Sequence, residues 1–357
     1  MVNQEALRHA EKCRFCFMCR HLCPVQLQTG REINTPRAKG LLLSMVNKGT
    51  AEFDRDMAKT MYECLLCDAC VNDCATGYQP PLFIRQARTE AVVNGIAPES
   101  VNVLLDNIAK TGNIYGEKKP SFAAKGGDVL VYVGETAACR VPQMAKSLIA
   151  LLEKAGVGVQ TLENEPASGA MLSDLAGYVE DAAQQAKACA DAIAASGCKT
   201  VVVLDSYDAE IMKQQYPQWG CAISAEIVTA TEFTARLIRE GKIKAKASKG
   251  VLGACHDDDR LARSLHEFDP IREMAKAAGY ELTEMFNTGK LAKSCGSAVT
   301  LAYMPEIVTR VAAGRWDDLK RTESKTMLTA NPEAYLCLQA AQPEGYALVD
   351  LYTELAK

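Results

Sequence analysis

The sequence predicts an α + α/β chain, an all-helical N-terminal domain followed by two tandem α/β repeats. Three observations predict it. Eight of the fifteen cysteines fall before residue 75 in two runs of identical spacing, and the segments around those runs carry helical periodicity. From Lys125 onward strand and helix signals alternate, and segments of that region recur. The expected boundaries are 1–120, 121–244 and 245–357, in keeping with a length too great for one small core.

Composition narrows the function. With 48% hydrophobic and 24% charged residues the chain is globular, and it has no run of 18 apolar residues to span a bilayer. The opening MVNQEALRHAEKC lacks a secretory apolar stretch, so the expected location is the cytoplasm. A net charge of -4 argues against nucleic-acid binding, which needs many Lys and Arg contacts to phosphate. In a reducing compartment clustered thiols are better explained by metal ligation than by disulfides.

Cys13, Cys16, Cys19 and Cys23 follow the spacing C-x2-C-x2-C-x3-C, completed by Pro24, and Cys64, Cys67, Cys70 and Cys74 repeat it. At this cysteine frequency three further cysteines at fixed offsets arise by chance on the order of once in ten thousand, so two such runs are not coincidence. The spacing lets three thiolates wrap three corners of one 4Fe-4S cubane while the fourth points away, and in two-cluster ferredoxins that fourth thiolate serves the other cluster. Two 4Fe-4S clusters are therefore expected, one on Cys13, Cys16, Cys19 and Cys74, the other on Cys64, Cys67, Cys70 and Cys23. Structural zinc is the bland alternative, but zinc ribbons use two separated C-x2-C pairs. Ala75 stands where the second run would carry its proline, a turn residue that supplies no ligand.

The connection between the runs reads as helix. Thr35 can cap a helix with Pro36 at its first position, running through Leu41 to Val46 and stopping at Gly49. A second helix is expected to start near Thr50 and set Phe53, Met57 and Met61 on one face. Helices over 81–94 and 98–110 should end at Gly95 and Gly112. The paired runs, the TPRAKGLLL segment and the YECLLCDACVNDC block resemble the α-helical ferredoxin domains of succinate dehydrogenase iron-sulfur subunits and of heterodisulfide reductase, over residues 1 to about 118.

The α/β part opens with the buried-strand run DVLVYVG. AGVGVQTLE at 155–163 recurs as AGYELTEMF at 278–286, and KTVVVLDSYDAEIM at 199–212 as KTMLTANPEAYLCL at 325–338. This part resembles the cysteine-rich CCG repeats of the B and D subunits of heterodisulfide reductase, the glycolate oxidase iron-sulfur subunit and the C subunit of anaerobic glycerol-3-phosphate dehydrogenase. In that family an intact repeat offers a lone Cys, a Cys-Cys-Gly and a Cys-Pro-x-Cys that can hold an unusual cluster or a metal. Here the first copy has lost them: Glu135 replaces the lone Cys, residues 163–169 contain no Cys-Cys-Gly, and Asp205 to Asp208 replaces Cys-Pro-x-Cys. Cys139, Cys189, Cys198 and Cys221 have no ligand spacing and read as core residues. The second copy keeps Cys255, Cys295 (after Ser294) and, three residues past the Asn331 to Ala334 position, Cys337. These three with His256 could hold an additional cluster or a zinc ion, the alternative being a vestigial fold without metal.

The resemblance implies an electron-transfer subunit that relays electrons from a flavin-containing dehydrogenase or electron-transfer flavoprotein to a quinone, a ferredoxin or another acceptor. No GxGxxG fingerprint or P-loop is present, so nucleotide cofactors are expected on that partner, through which the chain could associate peripherally with a membrane. No catalytic residue is expected. Two rivals stand beside this reading: a heterodisulfide or thiol reductase acting at the second repeat, and a zinc-stabilised scaffold that carries no electrons.

Overall fold

A computed structural model describes residues 4–357, so the first three residues of the expected 1–120 domain lie outside the described residues. The N-terminal third is helical. Thr35 caps helix Pro36–Asn47 by accepting the Ala38 N–H at 3.2 Å, and Pro36 occupies the first turn, where no N–H partner is needed. Gly49, at φ 69°, closes the turn after it. The following helix begins at Arg55 rather than near Thr50. Thr50 is tied back to the preceding helix through its N–H and hydroxyl, both on the Met45 carbonyl, whereas Asp54 accepts the Met57 N–H at 2.9 Å and caps Arg55–Tyr62. Phe53, Met57 and Met61 pack on the helical core as expected. Helices Pro80–Val93 and Glu99–Thr111 lead into Gly95 and Gly112, both left-handed.

Two four-stranded parallel sheets follow. The first comprises β1 (Val129–Tyr132), β2 (Val159–Gln160), β3 (Thr200–Val203) and β4 (Glu226–Thr229) in the order β2-β1-β3-β4. The second comprises β5 (Leu252–Cys255), β6 (Glu281–Leu282), β7 (Thr326–Thr329) and β8 (Ala347–Asp350) in the order β6-β5-β7-β8. The two share one topology, and helices Ser206–Gln214 and Pro332–Ala340 follow β3 and β7 at the same interval. Side chains alternate across each strand. Val131, Val202, Cys255 and Leu328 enter a core common to both sheets, while Leu130, Tyr132, Val201 and Val203 face a separate core of the first repeat, and Ala254 and Met327 one of the second.

The helical layer is locked onto the first repeat by buried polar contacts. Arg85 donates to the Asp174 carboxylate at 2.6 Å and to the Ser173 carbonyl at 2.8 Å, and Arg260 adds a second ion pair to Asp174 at 3.4 Å. Tyr62 donates to the Leu175 carbonyl at 2.7 Å. Arg88, fully buried, donates to the carbonyls of Asp174 (2.6 Å) and Cys64 (2.6 Å) and lies over the Tyr62 ring at 4.9 Å. This lock presents the second cysteine run to the carboxyl ends of the sheets, where α/β folds place their functional groups.

Candidate functional site

The two cysteine runs share one backbone path. Phe15 and Phe17 in the first, and Leu66 and Asp68 in the second, take left-handed φ values of 54°, 67°, 53° and 57° at equivalent positions. Among the described residues only His266 is a further non-glycine with positive φ. Such a conformation costs about 1–2 kcal/mol per residue and is unusual for bulky side chains. Its return is the orientation of N–H groups: Phe15 N–H donates to the Cys13 sulfur and Leu66 N–H to the Cys64 sulfur, each at 3.4 Å. The short helices that follow, Met18–Leu22 and Ala69–Asn72, pack against each other and bring the runs together.

Cys23, Cys64, Cys67 and Cys70 line one cavity, together with Lys39, Asn34, Glu63 and Ile84. Three of these cysteines belong to the second run and one is the last of the first. Cys13 and Cys74, from opposite ends of the two runs, pack with Cys64 around the buried Tyr78, Phe83 and Leu66. Burial pushes the Cys19 thiol up to about 11, opposed by the Arg37 backbone N–H at the start of helix Pro36–Asn47. Burial also raises Cys23, Cys67 and Cys70, with backbone N–H groups of Gln26 and Val25 opposing the shift at Cys23 and that of Ala69 at Cys67. At Cys74 burial is outweighed by hydrogen bonds from the Thr76 hydroxyl and the 76–78 backbone, and its pKa falls. Helix starts therefore aim N–H groups at sulfurs, and bound iron would deprotonate the buried thiols outright.

Lys39 is a feature not expected from the sequence. It is 1% exposed, and its ammonium donates only to the carbonyls of Ile33 at 3.4 Å and Asn34 at 3.2 Å. Burial lowers its pKa, and the groups that hold its charge are Cys64, Cys23 and Glu63. A buried cation whose counter-charges are thiolates fits a site that holds an anionic iron-sulfur group. The signal was present: Lys39 shares a helical stripe with the buried Pro36, Gly40, Leu43 and Ser44.

The second α/β repeat departs from expectation. Cys295 and Cys337 come together in its core, but Cys255 points to the opposite face of β5, into the core shared by both sheets. His256 does not complete a set with them: its Nδ1 accepts from Arg315 Nε at 3.2 Å. Cys255 thus stands apart from Cys295 and Cys337, on the other face of β5. In the first repeat Cys189 is buried, with Cys139, Cys198 and Cys221 half-buried against the cores.

Residues 9–78 match a protein-family model described as a 4Fe-4S dicluster domain. The N-terminal region is a 4Fe-4S dicluster domain. Over the longer chain, the D subunit of the dihydromethanophenazine:CoB–CoM heterodisulfide reductase of Methanosarcina mazei is 24% identical, covering 91% of this chain and 87% of its own length. The EtfAB:quinone oxidoreductase of Syntrophomonas wolfei is 23% identical over 77% of this chain, and a chain of Chromohalobacter salexigens named "Probable membrane-anchored ferredoxin" is 22% identical over 84%. This chain spans only 41% and 47% of the lengths of those two. The protein is an iron-sulfur protein related to oxidoreductase subunits. No described helix is long and apolar enough to cross a membrane.

Proposed function

We propose that this chain is the electron-transfer subunit of a larger oxidoreductase, holding two 4Fe-4S clusters in its dicluster domain. Cys13, Cys16, Cys19 and Cys74 would hold one, and Cys64, Cys67, Cys70 and Cys23 the other. The observation that carries the reading is the single cavity lined by Cys23 with the first three thiols of the second run, the exchange of fourth ligands that this spacing has in two-cluster ferredoxins. When bound, such clusters supply one-electron transfer. The chain's own part is to supply thiolates, point N–H groups at them, and set Lys39 beside them in the same cavity, which tunes the potential.

The partner is proposed to be a flavin-containing dehydrogenase or an electron-transfer flavoprotein, which would approach the first run. There Cys16 is exposed between Phe15, Phe17 and Met18, themselves 48%, 44% and 53% exposed. The cysteines of the second run are instead half-buried, with Arg263 of the α/β part on the Cys67 carbonyl. The test is metal and sulfide analysis of anaerobically purified protein: about eight iron and eight acid-labile sulfide per chain are expected. Stoichiometric zinc with little iron would overturn the proposal.

A further inference from the structure

Cys295 and Cys337 remain unexplained by the dicluster site. Both are buried, at 2% and 0% exposure, and they pack into one apolar cluster of the second repeat. Cys295 precedes Gly296, whose φ is 97° and where even a Cβ would lie 3.6 Å from the Cys337 sulfur. The loop is thus folded tightly onto helix Pro332–Ala340. The Cys295 sulfur also points at the Ala334 carbonyl, 4.0 Å away and one turn before Cys337.

Two further contacts tie this pair to the dicluster domain. Cys295 and Cys337 pack in the same apolar cluster as Val25 and Leu65, with Cys23 and Cys67 at its edge. Arg263 bridges the two loops directly, donating from Nε to the Cys67 carbonyl at 2.5 Å and from Nη1 to the Ala292 carbonyl at 2.7 Å, three residues before Cys295. A polar group stands next to the thiols as well. Glu333, one helical turn before Cys337, is 5% exposed and its Oε1 has no hydrogen-bond partner.

We propose that Cys295 and Cys337 form a redox-active dithiol, a two-electron site that interconverts with an internal disulfide. In the reductive direction the sulfur-sulfur bond breaks, two electrons enter, and two protons end on the two sulfurs, with the Glu333 carboxyl placed to pass them. In the oxidative direction the electrons leave to a dithiol-forming small disulfide in vitro, and in the protein to one-electron iron-sulfur carriers in two successive transfers. Only that last coupling rests on the two-cluster reading; the dithiol itself does not. Such a site would let one-electron carriers serve a two-electron reaction.

The test uses the full-length protein, incubated anaerobically in buffers of reduced and oxidised dithiothreitol at graded ratios, approached from both the oxidised and the reduced side. Samples are acid-quenched, unfolded, alkylated and digested with trypsin. Peptides 294–310 and 326–357 each contain one cysteine, so a cross-link between them identifies the pair. The expected result is a Cys295–Cys337 cross-link that appears and disappears with a two-electron slope of tenfold per about 30 mV. Cys255→Ser should leave it unchanged, and Cys337→Ser should abolish it and leave Cys295 fully alkylated. Complete alkylation of both cysteines at every ratio, or a cross-link to Cys255 in place of Cys337, overturns the proposal. Iron and sulfide content, measured in parallel, separates this outcome from failure of the two-cluster reading.

Discussion

Asp174→Asn tests what fastens the dicluster domain to the α/β part. Asp174 is fully buried and receives Arg85 at 2.6 Å and Arg260 at 3.4 Å, as well as the Tyr207 hydroxyl. Burial alone would raise its pKa, but the three nearby guanidiniums of Arg85, Arg260 and Arg88 hold it below the ordinary range. The carboxylate is therefore charged, and its contribution is complete above about pH 4 and fades as the pH drops through its depressed pKa. Asparagine keeps the shape and removes the charge, leaving buried Arg85 without its carboxylate, while Arg260 keeps Glu210 at 2.9 Å. Breaking a buried pair in this way costs about 3–5 kcal/mol. For a folding unit of roughly 150–250 residues each kcal/mol moves the melting temperature by about 2–4 °C, so a fall of roughly 6–20 °C is expected. Thermal unfolding can be followed separately by Trp219, near the first repeat, and Trp316, in the second. A single Asn variant that melts within about 2 °C of the parent would refute the compensation on which this account rests.

Three further outcomes are expected. Cys74→Ser should impair the cluster shared with Cys13, Cys16 and Cys19, so the reduced variant should lose a different EPR signal from Cys64→Ser; loss of the same signal would contradict crossed ligation. Lys39→Met should lower the reduction potential of the cluster in the Cys23, Cys64, Cys67 and Cys70 cavity. A unit charge about 10 Å away at an effective dielectric near 20 is worth about 1.7 kcal/mol, roughly 70 mV for one electron, and an unchanged potential in a redox titration would exclude the role. Glu135 is buried, and burial with the nearby Asp208 raises its pKa to about 8. The folded state then holds a proton that the unfolded state releases near 4.5, so stability falls as pH rises through that window. Glu135→Gln should remove this fall, gaining about 3–5 kcal/mol relative to the parent between about pH 5 and pH 9 in denaturant titrations. Parallel pH profiles for the two proteins would show the group is not held protonated.

What the sequence made legible is what depends on neighbours along the chain. The cysteine runs, the Thr35 cap with Pro36, and the glycines at 49, 95 and 112 are local signals, and each matches the structure. The recurrence of 199–212 at 325–338 was equally legible, because β3 and β7 and the helices after them repeat at one interval. The start at Arg55 was missed because Thr50 looks like a cap but spends its donors on Met45. The Asp174 lock was not legible at all: its partners Arg85 and Arg260 lie 89 and 86 positions away. Cys255 shows a subtler limit. The period of two tells us that Ala254 and Cys255 face opposite sides of β5, but with both faces buried nothing local says which side holds Cys295 and Cys337.

The equivalence of the two runs in backbone, set against the difference in their surroundings, bears on direction. The two runs share their left-handed turns and one N–H to sulfur bond, at the first cysteine of each. Any difference must come from the next layer outward. Around the first run that layer is solvent and the exposed Phe15, Phe17 and Met18; around the second it is the buried Lys39, Arg88 on the Cys64 carbonyl and Arg263 on the Cys67 carbonyl. Carboxylates stand beside these cations: Glu63 by Lys39, Asp174 by Arg88, and Asp259 paired with Arg263. On the two-cluster reading, direction between the runs is set by these surroundings, and a redox titration that resolves the two potentials reads it.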